Sequence, residues 1–249
     1  MPLDQYRTAE FKQGPLIRQE YQDKPEVAGG ICYGLFVTWM KLTPIWGAQQ
    51  DPSSRAASLT QDFKLAGTRQ LIYKSGAADT VEQDHADKLK QLWSKPASPE
   101  FAQLLTELGT HSGVAFRFLR EFSERSTLAT VICDPRAKST GLYLSIKFAA
   151  KGGHALGLVP GTPNNLLFDP NDGEFAFSDA NAQAFLDDFW AAYANIRGGI
   201  STYALYAVTP QLTVQGKWQS GSLGQTLQPA SLKPPPGKLD ASRFTPFKT

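Results

Sequence analysis

Cys32 follows Gly29, Gly30 and Ile31 and opens an apolar run in the stretch GGICYGLF (29–36). A thiol at a helix start sits beside unpaired backbone N–H groups and the positive end of the helix dipole, and both favour the thiolate. The two glycines leave room for a substrate backbone beside the sulfur. Gly34, inside the run, costs about 1 kcal/mol relative to alanine, which points to something packed closely against it. The plainer reading is a buried cysteine on an apolar helix face, and the stretch alone leaves both open. His154 heads HALGLV (154–159), and Asp169 ends NLLFD (165–169) just before PNDG. Taken singly, the first reads as an ordinary strand residue and the second as a turn residue.

A hairpin changes their weight. If the two segments pair through PGTP (160–163) with Val159 facing Asn164, His154 falls opposite Asp169. Such neighbours have Cβ atoms roughly 4.5–5.5 Å apart. A one-residue slip would undo the pairing. A thiol, an imidazole and a carboxylate are the parts of nucleophilic acyl transfer. The thiolate attacks a carbonyl, the imidazole moves the proton, and the carboxylate holds the ring. Cys32, rather than Cys133, is the expected reactive thiol. His85, in EQDHADK, reads as a solvated helix residue, and His111, in GTHSG, as a turn residue.

The elements that position these groups follow from periodicity. Residues 1–28 show no sustained period and read as an irregular lead-in. The segment 32–43 reads as a helix with Cys32, Leu35, Phe36, Trp39 and Met40 on one stripe, stopped by Pro44. Further helices are expected at 53–74, 79–93 and 98–108, the last capped by Ser98 with Pro99 at its first position. Residues 113–133 read as helix and then extended chain. After Gly141 come strands at 142–148, 154–159, 165–169 and 174–178, a helix near 180–196 capped by Ser178 or Asp179, and a last strand at 201–208. No internal repeat is present. Helices first and an antiparallel sheet second make an α+β domain, 29–210.

Composition narrows the class. The 249 residues are 41% hydrophobic and 19% charged, with a net charge of +2. Residues 211–249 hold five basic side chains and one acid, and the rest hold 20 basic against 22 acidic. A near-neutral body with a mildly basic tail carries no nucleic-acid footprint. The tail, rich in Pro, Gln, Ser and Gly, reads as flexible. Two cysteines fit a reduced compartment better than a disulfide scaffold, and with three histidines they show no metal-ligand spacing. No cleavable signal peptide is expected, and the longest uncharged apolar stretch, Val27 to Met40, is too short to span a bilayer.

Three segments carry a resemblance. GGICYGL, GGHALGL and LLFDPNDGEF, with spacings of 122 and 15 residues between Cys32, His154 and Asp169, resemble the nucleophile, histidine and aspartate boxes of the YopT/AvrPphB effector family. These are papain-like cysteine peptidases of peptidase family C58. The resemblance covers about residues 25–210. It implies a papain-like fold, a Cys32–His154–Asp169 triad and no cofactor. It further implies a bacterial effector or toxin, secreted without a cleaved signal into target-cell cytoplasm. Its partners would be a host protein substrate and a secretion chaperone, with no nucleic acid and no stable membrane insertion. One departure stands out. Papain-like enzymes usually place a Gln or Asn a few residues before the cysteine to complete the oxyanion hole. Here Val27 and Glu26 stand five and six residues before Cys32, so either a longer loop folds back one of the nearest upstream amides, Gln22 or Gln19, as the oxyanion residue, or the hole is built otherwise. The same triad would also serve a glutamine deamidase or transglutaminase-type toxin. A non-enzymatic papain-like binding module is the remaining alternative.

Overall fold

The computed structural model describes residues 2–24, 27, 29–48, 50–75, 113–150, 152–196 and 198–210. The helices expected at 79–93 and 98–108, the tail from 211, and His85 and His111 lie outside the described residues. Among the described residues the strands are β1 (Arg7–Glu10), β2 (Val114–Phe122), β3 (Gly141–Phe148), β4 (Gly153–Val159), β5 (Asn165–Asp169), β6 (Gly173–Phe177) and β7 (Ile200–Pro210). They form one antiparallel sheet in the order β1-β6-β5-β4-β3-β7-β2. The α-helices among the described residues are α1 (Gln13–Glu20), α2 (Cys32–Lys41), α3 (Pro52–Gln61), α4 (Phe63–Ser75), α5 (Arg125–Cys133) and α6 (Ala182–Tyr193).

The central strands are buried on both faces, so β4 reads as an unbroken apolar run rather than an alternating one. One core joins α2, α3 and α4 to Tyr143, Ala155 and Phe168 of the sheet. The other joins α5 and α6 to Leu144, Leu156 and Leu167. Helices therefore cover both faces. α2 is packed so tightly on α4 that a Cβ added at Gly34 would lie 1.9 Å from the Ala66 carbonyl oxygen. The close approach expected at Gly34 is this contact.

Four expectations require correction. Residues 1–28 are not an irregular lead-in, because they carry edge strand β1 and helix α1. The short strand β1 pairs with β6 and so draws its signal from the partner strand rather than from its own periodicity. The span 53–74 is two helices broken at Asp62, the first capped by Asp51, whose carboxylate accepts from Ser54 N at 3.0 Å. The order in 113–133 is strand and then helix. The β-branched residues of RSTLATVIC favour extended chain, but Leu128, Val131 and Ile132 fall on one buried helical stripe and packing decides. Neither Ser178 nor Asp179 caps α6. Asp179 instead accepts from Lys138 Nζ at 2.5 Å and from Asn165 Nδ2 at 2.9 Å.

The hairpin register also differs. Val159 pairs with Leu166, not Asn164, because the turn takes two more residues. Asn165, fully buried at the head of β5, closes that turn with its side chain, accepting from Gly161 N at 3.1 Å and donating to Phe177 O at 3.2 Å. Continuing the observed register sets Leu156 opposite Asp169 and makes His154 its diagonal neighbour. A slip of two keeps the side chains on the same face, so the pair survives.

Candidate active site

His154 and Asp169 share the parity of Leu156, Leu158 and Leu167, which places them on the α6 face of the sheet. Cys32 comes from α2 on the opposite face and meets them where β4 begins. The site therefore bridges both layers across a strand end, where Gly152 and Gly153 leave the rim bare. His154 Nδ1 lies 2.9 Å from Cys32 Sγ, and Nε2 lies 2.8 Å from Asp169 Oδ1. His154 is 7% exposed and Asp169 fully buried, while Cys32 is half-buried at the wall of a cleft. All three residues singled out in the sequence thus come together in one row.

The electrostatics favour a charged pair. Burial pushes the Cys32 thiol up, but the facing His154 and the hydrogen bonds from His154 and Gln13 outweigh it, and its pKa ends below the ordinary value. Burial pushes His154 down, but the sulfur and the Asp169 carboxylate outweigh that too, and it ends raised. Asp169 is held low in spite of its burial by His154, Tyr193 and the Asn171 N–H. These directions favour a thiolate–imidazolium pair, in which Nδ1–H donates to sulfur and Nε2–H to Asp169.

Gln22 and Gln19 do not reach the site. Both are exposed, and Gln19 donates to Glu20. The amide at the sulfur is Gln13, 4% exposed, whose Nε2 lies 3.0 Å from Cys32 Sγ and whose Oε1 accepts from Ile31 N at 2.9 Å. It stands 19 residues before the cysteine because α1 and its loop fold out and back. Gln13 N donates to Pro170 O at 2.9 Å, so the start of α1 is tied to the turn after Asp169.

Three further residues escaped the sequence. Tyr193 donates to Asp169 Oδ2 at 2.5 Å, and burial together with that carboxylate raises its pKa. Its signal was a hydroxyl at the end of an apolar helix stripe, which needs a partner when buried. Gln70 accepts from Tyr33 N and Gly34 N at 3.0 and 3.4 Å, capping the first turn of α2. It interrupts the stripe of Phe63 and Ala66, which was its signal. Asn171 touches Gln13 and His154 and lies inside the PNDG turn.

The cleft beside Cys32 has a volume of about 390 Å³ and is lined by Tyr33, Gln70, Tyr73, Tyr143, Ser145 and Lys147, with glycines 29, 30, 152 and 153 at its edges. Gly30 has φ +117°, and a Cβ there would sit 3.2 Å from Sγ. Glycine is therefore required both by backbone conformation and by access to the sulfur. Cys133, the other thiol, has its pKa raised by burial and by Asp179.

Comparison with known proteins agrees with this architecture. Residues 6–203 match the model of peptidase family C58, described as Yersinia/Haemophilus virulence surface antigen. A protein of Bradyrhizobium diazoefficiens bearing the name YopT-like cysteine protease is 28% identical over 74% of this chain. A Sinorhizobium fredii protein of the same naming is 26% identical over 84%. The chain spans 60% and 70% of their respective lengths. The solved structure of the Pseudomonas avirulence protein AvrPphB superposes with a TM-score of 0.56 at 20% identity, covering 83% of this chain and 99% of that one. The fold is that of AvrPphB. The chain belongs to peptidase family C58, a cysteine peptidase family.

Proposed function

We propose that this C58 member is a cysteine endopeptidase in which Cys32 is the nucleophile, His154 the general base and acid, and Asp169 the group that orients the imidazole. The observation that carries the reading is the unbroken row Gln13–Cys32–His154–Asp169, with successive contacts of 3.0, 2.9 and 2.8 Å. The Cys32 thiolate attacks a peptide carbonyl presented in the glycine-edged cleft. Negative charge builds on the carbonyl oxygen, and Gln13 Nε2–H and the Cys32 N–H are the donors for it. The intermediate collapses as His154 Nδ1 passes its proton to the leaving amine, and a thioester remains on Cys32. A water, deprotonated by the now neutral His154, attacks the thioester and frees the acid. Asp169 keeps Nε2–H on its own side throughout, so Nδ1 always faces the reacting atoms.

The virulence setting of the family model and of AvrPphB supports a bacterial effector whose substrate is a host protein. Among the described residues no helix is long and apolar enough to cross a membrane. The test is comparative N-terminal proteomics of host-cell lysate treated with wild type or Cys32→Ala. New backbone ends should appear with the wild type alone. A mass gain of about one dalton on a glutamine, without new ends, would overturn the reading in favour of deamidation.

A further inference from the structure

The oxyanion reading leaves open what holds Gln13. A glutamine side chain has three rotatable bonds, and an oxyanion donor must be aimed before charge develops. Ile31 N–H donates to Oε1, which fixes which end of the amide carries the hydrogens. Nε2 then has two hydrogens to place. One lies toward Cys32 Sγ, and the other toward Asn171 Oδ1 at 2.7 Å. With Oδ1 so engaged, Asn171 Nδ2 lies 3.3 Å from His154 Nε2, a proximity and not a hydrogen bond, because Nε2–H donates to Asp169. The Asn171 backbone N–H donates to Asp169 Oδ1 at 2.8 Å.

We infer that Asn171 is a positioning residue for the oxyanion: it fixes the plane of the Gln13 amide so that one Nε2 hydrogen points at the reaction centre. The turn DPNDG (169–173) thereby serves both halves of the chemistry, orienting the base through Asp169 and the oxyanion donor through Asn171. Asn171 is itself exposed, so it contributes little core packing. Removing its side chain loses contacts rather than opening a cavity. The inference rests on the reading of Gln13 as oxyanion donor, and the experiment separates the two.

Two reagents probe Cys32 without knowledge of the natural substrate. p-Nitrophenyl acetate is attacked by the thiolate at its carbonyl carbon, passes through a tetrahedral oxyanion, and collapses to the Cys32 thioacetate and p-nitrophenolate. Iodoacetamide is attacked at its methylene carbon and loses iodide, with no oxyanion. The ratio of acetylation to alkylation rates at Cys32, followed by mass spectrometry, cancels changes in thiolate population and isolates the oxyanion contribution.

We expect Gln13→Ala to lower this ratio by about 10²-fold, as for loss of one oxyanion donor. Asn171→Ala should lower it by about 10-fold, and the double variant should be no worse than Gln13→Ala, because the two act as one unit. Asn171→Asp keeps the acceptor oxygen and should restore most of the ratio. An Asn171→Ala ratio equal to wild type, or losses that multiply in the double variant, would reject the role of Asn171 and leave Gln13 standing. An unchanged ratio in Gln13→Ala would sink the oxyanion reading itself, and the inference with it.

Discussion

Burial alone would push the Cys32 thiol up and the His154 imidazolium down, and both move the other way because each is the other's counter-ion. The sign of the pH dependence follows. His154 is raised above its ordinary 6.5, so its charge and the stability it brings persist above that value and are lost as pH climbs through the folded one. Asp169 is lowered from 3.8, so its contribution is present above that value and is lost as pH falls through the folded one. In the proposed mechanism turnover needs the His154 imidazolium as acid, so the basic limb of the pH profile should report His154. Asp169→Asn removes a carboxylate that raises His154, and we expect that limb to move to lower pH. Turnover should drop by about 10 to 10³-fold, less than the roughly 10⁴ seen in a serine triad, because here the charge pair exists before attack. A pH–rate profile on a substrate named by the proteomics checks both effects. Full activity with an unmoved limb would reduce Asp169 to a turn residue.

At the scale of elements, α2 must lie close on α4 for Cys32 to reach around the strand end, and Gly34 is what permits it. Gly34→Ala sets two opposed effects against each other. Alanine gains about 1 kcal/mol of helix propensity. Its methyl would lie 1.9 Å from a backbone oxygen that no rotamer change can move, and overpacking of this kind costs about 1–3 kcal/mol or more. The clash should win and lower the melting temperature, whereas a rise would mean that the helices part without strain. This contact was legible in the sequence as a glycine inside an apolar helix. So were the strands from β3 onward, because Gly, Pro, Asn and Asp punctuate them. The edge strand β1 was not, because its four residues draw their order from β6. Gln13 was missed for a related reason: 19 intervening residues fold out as α1, and separation in sequence says nothing of that return. The His154–Asp169 pair was found through a register wrong by two, and it survived because an even slip keeps the face.

For the molecule as a whole, chemistry split across two faces of a sheet demands that the helical layer on each face be fixed against the strands. The α2–α4 side carries a buried charged anchor for this. Arg55 of α3 and Glu174 of β6, 4% and 3% exposed, pair at 2.8 Å from Nε and 2.5 Å from Nη2. Trp39 of α2 donates its indole N–H to the same carboxylate at 2.7 Å. Three elements thus converge on one carboxylate. A buried pair adds little net stability over well-packed apolar residues, but breaking it strands a charge at a cost of about 3–5 kcal/mol. Arg55→Met should therefore lower the melting temperature by about 6–20 °C, taking roughly 2–4 °C per kcal/mol for a domain of this size. Adding Glu174→Gln removes the stranded charge while leaving an oxygen for Trp39, and should recover most of the loss. Calorimetry on the single and double variants measures the difference. If the double variant melts no higher than Arg55→Met, the single loss came from packing along the Arg55 side chain. If it recovers, the anchor acts through charge, and its function is to hold α2 and α3 in one position over the sheet that carries His154 and Asp169.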